Sequence, residues 1–309
     1  MTRRELAFYS GILVALGMGW GMTQPLTKIA VSTGYQPLGL IFWQLVIGAV
    51  AMAGVSLATG RGFPMTRPVF VACLVIALGG TIVPNSAGYK AIAHLPAGVM
   101  SILISLVPMM AFPMALLLGL ERFSTRRLVG LLAGLAGVLI LVLPEASLPE
   151  RAMLAWIPLA LVGPACYAFE GNYVARWGTG GLDAIQVLFG ASVLGAVIAL
   201  PVVLGSGQYI SPLRAWAAPE WAFFASSVIH AAVYCGYVWL VAKAGPVFAA
   251  QVSYVVTVSG VFWSLALLGE RYSPYIWAAL ALVLAGVFLV QPRPKETLAE
   301  ADAMQDSAP

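Results

Sequence analysis

The sequence predicts an all-α integral membrane protein, in which ten transmembrane helices form two inverted five-helix repeats around a central cavity, with both termini cytoplasmic. Three observations predict this fold class. Charged residues are scarce, ten apolar stretches are long enough to cross a bilayer, and the second half of the chain repeats features of the first.

The composition indicates that lipid is the main solvent of this chain. Of its 309 residues, 61% are apolar and only 9% are charged, whereas a soluble domain carries about 25% charged residues. The mean hydropathy is +0.93. These values exclude a soluble enzyme and a disordered chain. The net charge of +4 is small and its basic residues are spread along the chain, which is typical of membrane loops and argues against nucleic acid as a partner.

The apolar stretches end at charges or at clusters of proline and glycine. A helix needs about 20 predominantly apolar residues to cross the hydrocarbon core. The third stretch has the least distinct end, because Pro84, Asn85 and Lys90 interrupt it. The ten stretches cover residues 6–27, 37–59, 68–89, 96–119, 126–143, 152–174, 182–204, 219–242, 246–268 and 273–291.

The basic residues predict the orientation of the helices. Lys and Arg favour cytoplasmic loops, and most of the 16 basic residues fall in segments that are cytoplasmic if the N-terminus is inside. An even number of helices then returns the C-terminus to the cytoplasm. We therefore expect a multi-pass protein of the plasma membrane (the bacterial inner membrane), in which the polar residues 292–309 form a disordered cytoplasmic tail.

The two halves share short motifs at a nearly constant separation. Glu121-Arg122 and Glu270-Arg271 lie 149 residues apart, as do the Ala-Gly-Val triplets at 136–138 and 285–287. We assign residues 1–147 to the first repeat and 148–291 to the second. Because each repeat has an odd number of helices, the second enters the membrane from the opposite side. Inverted repeats are typical of secondary transporters, which bind substrate near the midplane between the repeats.

The same motifs resemble a known family. They are Tyr89-Lys90-Ala91-Ile92-Ala93-His94-Leu95-Pro96-Ala97, Leu106-Val107-Pro108, Gly119-Leu120-Glu121-Arg122 and Ala136-Gly137-Val138, with Gly269-Glu270-Arg271 and Ala285-Gly286-Val287 in the second half. Over residues 6–291 the chain resembles the EamA-type repeat of the drug/metabolite transporter superfamily. The resemblance implies a ten-helix transporter of small metabolites, often one that exports amino acids or related compounds, with a cavity lined by both halves. Val258 departs from the pattern where the first half has Pro108.

Glu170 is the one charged residue that this topology assigns to neither a loop, a helix end nor the tail. Ionisable residues within a membrane usually face the bundle interior and mark substrate or proton pathways. Glu170 is therefore a candidate for the cavity and for proton coupling. The alternative is a structural position near the cytoplasmic mouth, where Glu170 pairs with Arg176 or Asn172.

Two polar stripes are related by the repeat. Thr81, Asn85 and Tyr89 follow one another at helical spacing, and side chains four residues apart share one face of a helix. The second stripe contains Ser227, His230, Tyr234 and Tyr237. They predict a cavity shared by both halves, although such residues also form ordinary interhelical hydrogen bonds.

The remaining site candidates are polar or aromatic residues inside predicted helices, and prolines that could act as hinges. The full set predicted to line the substrate cavity is Trp20, Gln24, Asn85, Tyr89, Ser101, Ser105, Tyr167, Glu170, Tyr234, Gln251 and Tyr254. The candidate hinges are Pro25, Pro108 and Pro113, since proline frees backbone carbonyls inside a helix.

Other conspicuous residues favour structural roles. Glu121 and Glu270 lie at helix ends, where a carboxylate can interact with the N-terminus of another helix. Gly130, Gly134 and Gly137 predict close helix packing, either within the chain or between two copies in a homodimer. Trp43 is expected at the membrane interface or facing lipid.

The partners implied are a lipid bilayer and a small-molecule substrate. Cys73, Cys166 and Cys235 lie in apolar sequence without neighbouring metal ligands, so we predict no metal, cofactor or disulfide framework. The alternatives to a transporter are an intramembrane enzyme and a channel. No nucleophile lies within a recognisable catalytic motif and no pore loop or ring of charge repeats, so we do not expect an enzyme.

Overall fold

The structure is a computed structural model that describes residues 3–143 and 147–290. All regular secondary structure within these ranges is helical, whereas the predicted tail at 292–309 lies outside them. The helices are α1 (Arg3–Val31), α2 (Pro37–Ala58), α3 (Arg67–His94), α4 (Ala97–Leu117), α5 (Thr125–Val142), α6 (Arg151–Trp177), α7 (Ala184–Gly205), α8 (Ala218–Ala244), α9 (Val252–Leu268) and α10 (Pro274–Val290).

Eight of the described helices, α1 to α8, are long and apolar enough to cross a membrane. The other two, α9 and α10, are also apolar but have 17 residues each. A four-residue helix, Pro246–Ala249, precedes α9. Where the sequence predicts ten spans, the described residues therefore give eight candidate spans and two shorter apolar helices.

Two helices depart from regular α geometry where glycine or proline permits it. In α3 a π-helical segment, Ala77–Ile82, contains Gly79 and Gly80. Helix α4 is interrupted between Ile104 and Val107, directly before Pro108, which lacks a backbone N–H for the helical ladder. π-helical segments often occur at functional sites, and this one borders the cavity described below.

Helix ends follow local sequence. The Asp183 carboxylate accepts hydrogen bonds from the backbone N–H groups of Ile185 and Gln186 and so caps α7. Gly119 and Gly269, which lie 150 residues apart, follow α4 and α9 with φ angles of 68° and 64°. Only glycine adopts such angles without strain, so the repeated motif ends equivalent helices in the same way.

The two halves pack with the same pattern of helix pairs. Helix α1 packs against α8 and α9, and its counterpart α6 packs against α3 and α4. Three further pairs join equivalent helices to one another: α2 with α7, α4 with α9, and α5 with α10.

These equivalent helices run antiparallel. At the start of α2 the backbone N–H of Leu38 donates to Gln208 just after α7, at 3.2 Å. At the start of α5 the Arg126 guanidinium donates to the Phe288 carbonyl near the end of α10, at 2.8 Å. The start of each helix therefore lies beside the end of its counterpart.

Small residues bring α5 close to α10. A Cβ atom at Gly130 would lie 2.7 Å from the carbonyl oxygen of Gly286, and a Cβ at Gly137 would lie 2.7 Å from the Val283 side chain. Gly134 faces Met109 of α4. The glycine stripe thus packs within the chain, so it is not available as the contact of a homodimer.

Large apolar side chains remain exposed on the outer surface; Leu117, for example, is 89% exposed. Such a surface suits lipid rather than water. The indole N–H of Trp43 donates to the Ile210 carbonyl at 2.8 Å, and its position at the interface or facing lipid stays a prediction. The indole therefore joins α2 to the chain after α7.

Candidate functional site

A cavity of about 390 Å³ lies between the two halves. Helices α1 to α4 contribute to its walls from the first half, and α6 to α9 from the second. Its polar and aromatic lining consists of Trp20, Thr23, Gln24, Thr27, Gln44, Thr81, Asn85, Tyr89, Tyr167, Glu170, Ser226, Ser227, His230 and Tyr234.

The structure brings most of the predicted site residues to this cavity. Both repeat-related stripes contribute to it, with the exception of Tyr237, which packs its ring against Trp20 with centroids 5.4 Å apart. The predicted residues that line the cavity are Trp20, Gln24, Asn85, Tyr89, Tyr167, Glu170 and Tyr234. Their contact with substrate stays a prediction.

Four predicted residues lie away from the cavity lining. Ser101 and Ser105 are buried, and each hydroxyl donates to a carbonyl one turn earlier in α4. Gln251 is exposed before α9, and the buried Tyr254 hydroxyl has no hydrogen-bond partner among the described residues. For Ser101 the reason is that α4 and α9 pack against each other, so that Ser101 faces Gly260 of α9.

A hydrogen-bond network joins three helices on one wall of the cavity. The Tyr89 hydroxyl donates to Gln44 Oε1 at 2.6 Å, and Asn85 Nδ2 donates to the same oxygen at 2.9 Å. The Tyr167 hydroxyl donates to Asn85 Oδ1 at 3.2 Å. Gln44 is the centre of this network, yet the predicted set does not contain it. The sequence feature that could have pointed to Gln44 is its polar side chain within the apolar stretch of α2.

The opposite wall joins α1 to α8. Trp20 Nε1 donates to His230 Nδ1 at 3.2 Å, so this imidazole nitrogen accepts and a neutral His230 carries its proton on Nε2. The sequence identifies His230 as part of a polar stripe but does not include it in the predicted site. The pair shows how an aromatic residue of one half positions a titratable residue of the other.

Glu170 lies against the π-helical segment of α3. A Cβ atom at Gly80 would lie 2.5 Å from Glu170 Oε2, so the absence of a side chain at Gly80 makes room for the carboxylate. Neither alternative partner binds it: Asn172 donates to carbonyls of α4 and α6, and Arg176 lies over the Trp177 ring at 6.0 Å. No hydrogen bond or ion pair of Glu170 occurs within the described part of the chain.

The charge of the cavity lining therefore comes from a single carboxylate among the described residues. Glu170 is its acidic residue, and no Lys or Arg occurs among the described lining residues. Groups of His, Cys, Asp and Glu that could hold a metal ion do not occur within the described ranges either. The cavity can accept hydrogen bonds and a positive charge, but it offers no fixed cation to an anion.

The capped end is the end of the bundle where α1 and α3 finish and α4 begins. Here Lys28 Nζ donates to the carbonyls of Ile92, Ala93 and Leu95 at 2.7, 3.1 and 2.9 Å. These three hydrogen bonds attach the end of α1 to the end of α3.

Glu270 caps α4 at the same end. It accepts hydrogen bonds from the backbone N–H groups of Ala97 at 2.7 Å and Gly98 at 3.2 Å. The Tyr272 hydroxyl donates to Glu270 at 2.5 Å, and burial together with this carboxylate raises the pKa of Tyr272. The helix-end role expected for Glu270 is thus observed, on a helix of the other half.

The repeat counterparts of these residues lie at the opposite, uncapped end. Glu121 is 39% exposed and pairs with Arg127 at 2.9 Å. Phe123, the counterpart of Tyr272, is 66% exposed. Arg176, the counterpart of Lys28, is also exposed. One motif therefore has different contacts in the two halves.

The candidate hinges lie within or beside helices that border the cavity. Pro25 is buried inside α1, one residue beyond the cavity residue Gln24. Pro108 follows the interruption of α4, and Pro113 lies within its second segment. Their role as hinges stays a prediction.

Two similar helical halves enclose a polar cavity, and the described residues contain eight candidate spans. Together these features define a multi-pass membrane protein. The model of the EamA-like transporter family matches the chain twice, over residues 9–143 and 154–291. The chain belongs to the EamA-like transporter family. This family is one of membrane transporters rather than of enzymes, and the chain contains two of its repeats.

A solved structure supports the fold. It is described only as "Crystal structure of protein", is 19% identical, and aligns with a TM-score of 0.59 over 92% of this chain and 97% of its own. At this identity the likeness concerns the fold alone. Among curated proteins, none matches the chain significantly.

Proposed function

We propose that the protein is a secondary transporter that moves small metabolites across the bacterial inner membrane by alternating access. The observation that carries this proposal is the cavity between the halves, which repeat-related polar stripes line from both sides. Amino acids or related compounds as substrates, and efflux as the direction, are proposed from the family alone.

We further propose ten crossings, two inverted repeats at residues 1–147 and 148–291, and cytoplasmic termini. The antiparallel pairing of α2 with α7 and α5 with α10 supports the inversion. The segment from Pro246 to Leu268 has the length of a span if the short helix and α9 cross together. A homodimer stays a proposal, and its contact lies elsewhere than the glycine stripe.

Glu170 points to the chemistry of the substrate. A carboxylate away from water is costly unless it is paired or neutralised, and no Lys or Arg of the described residues lines the cavity to pair with Glu170. We propose that the ammonium group of an amine or amino acid binds Glu170, while the Gln44 network and Trp20 contact the rest of the solute. Solutes whose only charge is negative are repelled.

Glu170 is also the group proposed to couple transport to protons. A carboxylate that loses its ammonium partner can take a proton instead, so that the site alternates between two neutral states. The other titratable residues of the lining are Tyr89, Tyr167, Tyr234 and His230. None of them is an anion at neutral pH, so Glu170 is the lining residue that can exchange an ammonium partner for a proton.

The test is Glu170→Gln in proteoliposomes with an imposed pH gradient. A thermal-shift screen of the purified protein against amino acids, amines and monocarboxylates selects the solutes, and counterflow of their labelled forms measures transport. We expect amine or amino-acid counterflow to fall about tenfold or more, the scale of one charge-assisted hydrogen bond, and its dependence on the gradient to disappear. Glu150→Gln, an exposed carboxylate before α6, is the matched control.

The outcomes separate the parts of the proposal. Preferred transport of monocarboxylates contradicts the ammonium site, and an unchanged pH dependence in Glu170→Gln contradicts proton coupling. If no solute exchanges, transport itself is contradicted. Hydrolysis of a solute would then support an intramembrane enzyme, and a sustained ion current would support a channel.

A further inference from the structure

We propose that Lys28 and Arg176 are repeat-related caps that close opposite ends of the cavity in turn. In the conformation described above, Lys28 binds the end of α3. In the alternate conformation Lys28 is released and Arg176 binds the carbonyl oxygens at the end of α8. The proposal rests on the alternating access proposed above.

The contacts of Lys28 join the ends of two helices that line the cavity. The last four carbonyls of a helix lack intrahelical partners and carry partial negative charge, and an ammonium group has three donors. Lys28 uses all three on the end of α3. Thr27 and Ile92, which lie beside these contacts, line the cavity. Separating α1 from α3 at this point would open that end.

The counterpart of this contact is assembled from the same kinds of group. Arg176 lies 148 residues after Lys28, on α6. A shift of 149 residues places the counterparts of the three accepting carbonyls at Val241, Ala242 and Ala244, at the end of α8. No hydrogen bond joins Arg176 to these carbonyls within the described part of the chain.

The residues next to Lys28 are bound to a neighbouring helix, whereas those next to Arg176 are exposed. Glu270 and Tyr272 are engaged with the start of α4 at the capped end. Glu121 and Phe123 are exposed at the other end. Exchanging the conformations of two inverted repeats produces the second access state of such a transporter, so the exposed set is expected to assemble when the engaged set separates.

The experiment uses Phe123 as a reporter of the uncapped end. In a background with Cys73, Cys166 and Cys235 replaced by alanine, Phe123→Cys is labelled with a water-soluble maleimide in purified protein. Lys28→Met should slow the labelling, because it favours the state in which residue 123 is covered. We expect the ratio of the two conformations to change about tenfold, the value for one charge-assisted hydrogen bond.

The second arm tests whether Arg176 is the opposing cap. Arg176→Met alone should leave labelling as fast as in the parent or faster, and added to Lys28→Met it should restore fast labelling. Arg126→Met is the matched control, since Arg126 binds the Phe288 carbonyl and does not line the cavity. It should leave the labelling rate unchanged.

Two results would overturn the proposal. One is a Lys28→Met variant that labels as fast as the parent or faster, which is also what simple destabilisation predicts. The other is a double variant that stays slow. Counterflow with the unsubstituted protein tests the proposed function separately from the caps. Absence of transport would contradict the proposed function. A labelling rate that Lys28→Met does not change would contradict the caps alone.

Discussion

At the scale of single residues, the position of Glu170 depends on a neighbour without a side chain. Its carboxylate occupies the volume that a Cβ at Gly80 would need, with both oxygens within 2.8 Å of that position. Gly79, the preceding residue, has only a contact of 3.9 Å with the Phe169 ring. Of the two adjacent glycines in the π-helical segment, Gly80 therefore provides the space for the Glu170 carboxylate and Gly79 does not.

We predict that Gly80→Ala reduces counterflow of amine solutes while Gly79→Ala leaves it near the wild-type rate. The methyl group displaces the Glu170 carboxylate, which is the far end of a flexible side chain and can move at little cost in stability. The free energy of unfolding, measured by thermal denaturation, should therefore change by less than about 1 kcal/mol for either variant. Equal effects of the two substitutions on counterflow would contradict the role of Gly80.

The serines and Gln44 show why individual polar residues are hard to place from sequence. Ser101 and Ser105 have the spacing of a cavity stripe, but each hydroxyl bonds within α4, and Ser101 faces Gly260 of α9. Gln44 has no polar partner at helical spacing within α2. Its network forms only because α2 and α6 both meet α3 at one level. Polar residues at helical spacing show which side chains share a face of a helix, but only the packing of the helices determines what that face contacts.

At the scale of helices, glycine permits two backbones to approach closely. A Cβ at Gly286 would lie 2.6 Å from the Gly130 carbonyl oxygen and 3.0 Å from the Gly134 nitrogen. Both are backbone atoms of a neighbouring helix, so they cannot move aside as a side chain can.

We predict that Gly286→Ala destabilises the protein by about 1–3 kcal/mol, the usual cost of overpacking. Gly54→Ala in α2 is the control, because a Cβ there meets nothing within 4 Å and alanine favours a helix. Thermal unfolding in detergent measures both. A Gly286→Ala variant as stable as the control would contradict the close packing of α5 on α10.

Interruptions of helices were less predictable than the helices themselves. Apolar length predicts continuous spans at 68–89 and 96–119, although the second contains the candidate hinge Pro108. The structure contains a π-helical segment in the first and a break before Pro108 in the second. Such features depend on neighbouring helices, which supply the space and the partners that make irregular backbone tolerable in a membrane.

At the scale of the whole molecule, the topology makes a prediction about sidedness. Thr59 follows α2, and Ser211 lies in the segment between α7 and α8. With a cytoplasmic N-terminus, we expect an impermeant maleimide to label Ser211→Cys on intact cells. It should label Thr59→Cys only after permeabilisation.

Both positions are exposed in the structure, so neither result would reflect burial within the protein. The cysteine-free background without either substitution is the control. The reverse pattern would contradict the cytoplasmic N-terminus, and labelling of both positions on intact cells would contradict a single crossing by α2.

Composition and the spacing of motifs along the chain are enough to predict that this protein is helical, lies in a membrane and consists of two related halves. The sequence also identified Glu170, since a carboxylate within an apolar stretch is unusual wherever it lies. The tertiary structure decided which polar faces meet at the cavity. It placed Gln44 and His230 in its walls, and it excluded Ser101 and Ser105. Only packing could assemble the caps at one end rather than the other, because the repeated motifs are nearly the same in both halves and differ in which helices they touch.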